Sequence, residues 1–293
     1  METWIPSPRR TESCVGFGIL SVTRGGIGHA TPSHDMTRQG RRFVRILAAA
    51  ALLAAVGLVW LFGIEPAILT VTRVAYSSPD LPPAWSGRTV AFFSDLHAGP
   101  GFPLDQVKRV VERIRAESPD LVVFGGDLVD SATPLEPAFL IPLSDLLSEA
   151  RGRLGSIAVL GNHDNRLASE RQAVRTAWAD AGFVLLENQS IPVDGIRVGG
   201  LAESYFGRPD YGAAFGDANP EEFRILTMHQ PDPASAFPAH IVLSGHTHGG
   251  QVTFFGYPLF AIPGGAKHPY GRYDLPPSAA GGFPGMLFVS RGL

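Results

Sequence analysis

The chain has 293 residues, 45% of them hydrophobic and 17% charged, and a formal net charge of −3. That length holds one large domain or two small ones, and the charge gives no general case for nucleic-acid binding. A single cysteine, Cys14, excludes an internal disulfide and a thiolate metal cluster.

Residues 1–43 read as a disordered basic tail, with Gly, Ser, Thr, Pro and Arg mixed without sustained periodicity over residues 1–35. Met36, followed by Thr-Arg-Gln-Gly-Arg-Arg, reads as an alternative start of translation. From Val44 to Ile64 the sequence is apolar all round except for Arg45. At 1.5 Å per residue such a stretch crosses a hydrocarbon core of about 30 Å. We expect an uncleaved transmembrane anchor over 44–64, because a signal peptide has a shorter apolar region and a small-residue cleavage site close behind it. Arg38, Arg41, Arg42 and Arg45 precede this helix and Glu65 follows it. The positive-inside rule then puts the N-terminus in the cytoplasm of a bacterial inner-membrane protein and everything beyond Glu65 on the periplasmic side.

Residues 65–88, rich in turns around Pro82, Pro83 and Gly87, read as a linker, and 89–293 as one catalytic domain. Thr89–Phe93 and Leu121–Phe124 are apolar runs of strand length, suited to strands buried on both faces. Between them Leu104, Val107, Val110, Val111 and Ile114 recur at helical spacing, and Pro119 ends that helix. A helix over Leu140–Ala150, a strand over Ile157–Leu160 and a helix over Ser169–Ala181 continue the alternation. Short strands are then expected at Phe183–Leu186, Ile196–Val198, Arg224–Met228, Ile241–Ser244 and Gln251–Phe255. Crossover units followed by strands without helices predict an α/β fold, with two mixed sheets packed as a sandwich flanked by helices.

Five polar clusters each follow an apolar run: Asp95-Leu96-His97, Gly126-Asp127, Gly161-Asn162-His163-Asp164, Met228-His229 and Gly245-His246-Thr247-His248. They hold only oxygen and nitrogen donors, the ligands of hard or borderline divalent ions. Any one of them alone could be a turn or a cap. Together, at strand ends, they read as a two-metal hydrolytic site. Alternation along an extended segment would put Asp95 and His97 on one face, and likewise His246 and His248. Asp127 can bring a carboxylate between two cations, and Asn162 and His229 complete the set. His163 is left over as a general acid, with Asp164 to hold its tautomer. Gly126, Gly161 and Gly245 remove side chains where backbone must approach closely.

With these motifs in place, the chain resembles the calcineurin-like metallophosphoesterases over roughly Thr89 to Leu293. The resemblance implies a two-sheet sandwich and a binuclear site, with Asp95, His97, Asp127 and His248 around one metal. Around the other it implies Asp127, Asn162, His229 and His246, with Asp127 bridging and His163 as the non-ligand acid. It implies manganese as the expected metal, among Fe, Zn, Ni and Mg, and a phosphodiester or nucleotide-lipid small molecule as substrate. The reaction so implied is attack by a two-metal-activated hydroxide on a phosphodiester or pyrophosphate.

The anchor, the Ser94-Asp95-Leu96-His97 start and the Ser244–Gln251 run resemble a membrane-anchored bacterial group that includes UDP-2,3-diacylglucosamine pyrophosphatases of lipid A synthesis. Relatives of that group have Asp where His240 stands and Tyr where Asn165 stands. They also continue past Val289–Leu293, so this chain reads as truncated at its last sheet edge. Phe254, Phe255, Tyr257, Leu259 and Phe260 suggest an acyl groove, or buried strand packing. A UDP-linked precursor belongs to the cytoplasmic face, which conflicts with the external placement. The alternative reading is a non-catalytic metal-binding scaffold on the same fold, and the oligomeric state is not legible.

Overall fold

The computed structural model describes residues 34–60, 68–250, 253–254, 257–258, 262–277 and 284–293. Of the expected tail, residues 1–33 lie outside the described residues, as do 61–67, which span the end of the expected anchor and the start of the linker, and most of the aromatic run 254–260. Residues 34–43, expected to be disordered, are instead the first turns of a helix. Two compact units divide the chain at Glu65. In the first, α1 spans His34–Val59. Its Thr37–Val59 portion has a mean hydropathy of 2.0 in its most apolar window, with none of that window buried.

The second unit holds a four-stranded sheet in the order β1 (Val90–Phe93), β2 (Leu121–Phe124), β3 (Gly155–Ala158), β4 (Val184–Leu185), parallel throughout. Its crossovers are α2 (Leu104–Glu117), α3 (Pro137–Ser148) and α4 (Ala168–Asp180). The remaining elements in chain order are β5 (Gln189–Val193), β6 (Ile196–Gly200), α5 (Tyr211–Phe215), β7 (Arg224–Thr227) and β8 (Ile241–Ser244). They are followed by β9 (Thr253–Phe254), β10 (Tyr257–Pro258), β11 (Gly271–Leu275) and β12 (Gly285–Val289). A six-stranded mixed sheet runs β11-β12-β8-β7-β6-β5, antiparallel at its two edge pairs and parallel within, and β9 and β10 form a separate hairpin.

The sandwich follows from strand alternation. In β2, Val122 and Phe124 join the core under α2–α4, while Leu121 and Val123 join the core shared with the other sheet. Val107, Val110, Val111 and Ile114 give α2 the stripe it lays on the first core, and Asp105 stands in its first turn. Trp178 of α4 packs on Phe124 and Phe183, with ring centroids 4.6 and 4.7 Å apart. Between the sheets Leu121, Val123 and Ile157 meet Val198, Ile225 and Leu243. The outer face of the second sheet buries Leu226, Val242 and Leu287 with Phe215 of α5.

Because β1, β2, β3, β7 and β8 end on the same side, all five polar clusters leave the sandwich at one edge. β12, absent from the sequence expectation, lies inside the second sheet between β8 and β11. The expected sheet edge at Val289 is therefore an interior strand. Its partner β8 lies some forty residues away, so no local spacing announces the pairing.

Candidate metal centre

Asp95 and His97 do not meet through strand alternation. β1 ends at Phe93, and both residues are left-handed, at φ 55° and 44°. Asp127, His246 and His248 are left-handed too, at φ 59°, 73° and 47°. Non-glycine residues rarely adopt this region, and such strain gathers at functional sites. The alternation argument fails because the backbone leaves the sheet before the functional side chains begin.

Backbone amides hold these turns. The His246 amide donates to both Asp95 carboxylate oxygens at 2.9 and 3.0 Å, and the Ser94 hydroxyl donates to Oδ2 at 2.5 Å. The His163 amide donates to Asp127 Oδ1 at 2.8 Å. Close approach explains two glycines. A Cβ at Gly161 would sit 2.1 Å from Asp127 Oδ1, and one at Gly245 would sit 2.4 Å from Asp95 Oδ2.

Three sets of possible donor atoms lie within 4.8 Å of one another: Asp95, His97 and His248; His97, Asp127 and His163; Asp95, Asp127 and His229. His97 Nε2 and His248 Nε2 stand 3.0 Å apart, and His97 Nε2 is 3.6 Å from Asp127 Oδ2. His229 is fully buried. Its Nδ1 lies 2.8 Å from the carbonyl of Gly125, which can only accept, so Nδ1 carries the proton. Its Nε2 then faces two further oxygens, Asp127 Oδ2 and Asn162 Oδ1, both at 3.2 Å. A neutral nitrogen facing two acceptors calls for a positive charge, from a proton or from a metal ion. The residues fit a divalent ion on that ground, and the Gly125 contact is the outer hydrogen bond that orients ligand histidines.

The electrostatics agree. Burial favours the neutral form of Asp127, but His229, His97 and His163 outweigh it, and the carboxyl lies below the usual carboxylate range. Burial opposes protonation of His229, yet Asp127 and the Gly125 carbonyl push its pKa up to about 10. The cluster is thus built to hold cationic charge against a buried carboxylate. Burial, together with neighbouring His248, lowers His97 despite Asp127, and burial and His229 lower His246.

His246, His163 and Asp164 stand differently. The His246 ring lies 5.0 Å from that of His229, but its Nε2 is 2.8 Å from the Pro263 carbonyl and 3.1 Å from the Tyr205 hydroxyl. The proton therefore sits on Nε2, and Nδ1 is the atom left to ligate. Asp164 does not hold His163. It is fully buried and accepts the amides of Leu128, Val129 and Gly161 at 2.9, 3.3 and 3.0 Å. Burial and the charge of Asp127 push its pKa up to about 7. The place beside His163 Nδ1 belongs to the Ser131 hydroxyl at 2.6 Å, because the backbone demand of the β2 and β3 loops claims Asp164 first. Ser131 and Tyr205 sit on irregular loops whose sequence carries no signal of this role.

Residues 88–250 match the sequence model of a family described as calcineurin-like phosphoesterase. The uncharacterised metallophosphoesterase YkuE of Bacillus subtilis strain 168 is 31% identical over 258 residues, covering 84% of this chain and 86% of that one. The UDP-2,3-diacylglucosamine pyrophosphatase LpxG of Chlamydia trachomatis is 28% identical over 302 residues, covering 83% and 89%. Among solved structures, TT1561 of Thermus thermophilus has a TM-score of 0.45 at 13% identity, over 69% and 88%.

Proposed function

This chain belongs to the calcineurin-like phosphoesterase family, and on that premise we propose that it is a membrane-anchored, two-metal phosphodiesterase or pyrophosphatase. The observation that carries the reading is the convergence of Asp95, His97, Asp127, His229 and His248 donor atoms at one strand edge. Asp95, His97, Asp127 and His248 would hold one ion, and Asp127, Asn162, His229 and His246 the other. Bound divalent ions supply a charge clamp for phosphoryl oxygens and lower the pKa of water towards neutrality.

The chain's own groups do the rest. The His229 and His246 rings are fixed through their outer nitrogens, so His229 Nε2 and His246 Nδ1 are the atoms that would be presented to an ion. In the acid role His163 would be the imidazolium, with Nδ1–H donating to the Ser131 hydroxyl 2.6 Å away and the Nε2 proton presented to the leaving oxygen. Asp164 keeps the loops after β2 and β3 at fixed distance, and so keeps His163 beside Asp127.

The relatedness to LpxG supports a nucleotide-linked lipid with a pyrophosphate bond as the substrate, and the oxygen and nitrogen donor set is compatible with manganese, the metal we propose. The one helix among the described residues long and apolar enough to cross a membrane supports a bacterial inner-membrane, single-pass placement. The arginines before it favour an outward catalytic unit, which a substrate confined to the cytoplasmic face would contradict. Detergent-purified full-length chain with Mn²⁺ should hydrolyse bis(p-nitrophenyl) phosphate and UDP-2,3-diacylglucosamine. Asp127→Asn should lower both rates by about 10³-fold or more and reduce bound metal. Metal-replete protein that turns over no phosphoester overturns the reading in favour of a scaffold. Turnover of the aryl ester alone overturns only the lipid assignment.

A further inference from the structure

The space between the two sheets is not filled at the β1 edge. Val90, Phe92, Ile241 and Phe288 pack on the inter-sheet core but remain only partly buried. A cavity of about 430 Å³ lies against them, within the range of small-ligand sites. Phe92, Ile225, Leu243 and Phe288 wall it, and the segment from Thr72 to Arg88 closes over it. It is distinct from the metal centre. Arg88 and Val90 stand at the start of β1, and Ile241 at the start of β8, whereas the metal cluster follows the far ends of these strands.

One wall residue is charged. Arg88 pairs through Nη2 with Asp194 Oδ2 at 2.5 Å, and its guanidinium lies 5.1 Å over the Trp85 ring. Trp85 Nε1 in turn donates to the Asp194 carbonyl at 2.9 Å, so the guanidinium is held in place. Its Nη1 is buried with no hydrogen-bond partner among the described residues. A buried donor left unpaired is costly, and an acidic oxygen is the strongest partner for a guanidinium. An apolar sheet wall, faced by a covering segment that brings Ser77, Ser78, Ser86 and the fixed cation, suits an amphiphile with an acidic head and an aliphatic tail.

The chain itself indicates the source. Thr72 follows the end of α1 at Val59 by 13 residues, a span of at most about 45 Å when fully extended. On the way Ile68 and Val71 are exposed by 50% and 39%, and Val74, exposed by 37%, reaches the cavity wall. Apolar side chains displayed within a dozen or so residues of an anchor in sequence suit the headgroup boundary of a bilayer better than open water. We propose that this cavity binds the acyl chain of an anionic membrane lipid whose acidic headgroup pairs with Arg88. The proposal rests on the anchor reading of α1, and is independent of what the metal centre hydrolyses.

The test uses full-length protein in phosphatidylcholine nanodiscs doped with photoactivatable phosphatidylglycerol or, separately, photoactivatable phosphatidylcholine. Adducts are mapped by mass spectrometry, and aryl phosphodiester hydrolysis is followed in the same samples. Phosphatidylglycerol should label Val74–Arg88 and Ile241–Leu243 at least about tenfold more than phosphatidylcholine does, and Arg88→Gln and the cavity-filling Val90→Phe should each lose that label. Hydrolysis should stay at the parent level in both variants, which separates this site from the metal centre. Equal labelling by the two lipids, adducts confined to α1, or labelling unchanged in both variants overturns the proposal. Absence of adducts on α1 as well overturns the anchor with it. If a variant loses its fold, the parent's preference between the two lipids decides.

Discussion

Single side chains at this centre divide into those that hold charge and those that hold backbone. His163 is of the first kind, and the Ser131 hydroxyl 2.6 Å from Nδ1 is the group placed to orient its ring and to accept from the imidazolium. Ser131→Ala should therefore lower kcat about tenfold for a phosphodiester with an alkyl leaving group, and barely change it for a nitrophenyl leaving group that departs without a proton. Metal content should stay at the parent level. Equal losses on both esters would instead assign Ser131 to binding. Asp164 is of the second kind, since its carboxylate takes three backbone amides in a fully buried position. Asp164→Ala strands those donors, and a buried donor left without a partner costs about 1–3 kcal/mol. The expected cost is about 3 kcal/mol or more, read as a lower denaturation midpoint, with a milder effect for Asp164→Asn because an amide oxygen still accepts. A stability unchanged in Asp164→Ala, with activity lost, would return Asp164 to the catalytic role its place beside His163 first suggests.

At the scale of elements, neighbouring strands of the second sheet are tied together by the residues that start them. His240, just before β8, accepts the amide of Arg224 on Nδ1 at 3.0 Å and stacks on Phe223 with centroids 4.3 Å apart. Burial holds its pKa down to about 4, with Asp80 pulling upward and Arg224 adding to the fall. An unfolded histidine titrates near 6.5, so the unfolded state binds the proton first as the pH drops. Stability from His240 is present above about 6.5 and lost as the pH falls towards about 4. Urea midpoints measured across that window should decline, and His240→Gln should flatten the decline; an equal slope in the variant defeats the assignment. The sequence reading located β1, β2, β7, β8 and helices α2–α4, because each carries an unbroken apolar run or a helical stripe. It missed β5, whose Pro192 and polar residues blur the pattern, and β11, which alternates exposed and partly exposed residues. The polar clusters of the candidate site were legible as residue types at strand ends. Their left-handed backbone, the Ser131 contact and the Tyr205 contact to His246 were not, because loop geometry is set by tertiary contacts rather than by any local period.

For the whole molecule the open physical question is which side of the membrane the second unit occupies, and charge decides it. Arg38, Arg41, Arg42 and Arg45 lie within one or two turns of the start of the apolar stretch, while no basic residue follows until Arg73. Charge of that sign is retained on the cytoplasmic side of a membrane helix, and the proposed orientation, with the domain beyond α1 outward, rests on that rule. Alkaline phosphatase fused after Leu293 should be active and green fluorescent protein at the same place dark. Replacing Arg38, Arg41, Arg42 and Arg45 by Glu should shift the population towards the reverse. An active phosphatase in the parent would rule out access to a substrate confined to the cytoplasmic face, and would turn the lipid assignment towards phosphodiesters or pyrophosphates exposed on the outer leaflet. A fluorescent parent would instead free the UDP-linked lipid from its conflict with topology, and would show that these four arginines do not dominate insertion.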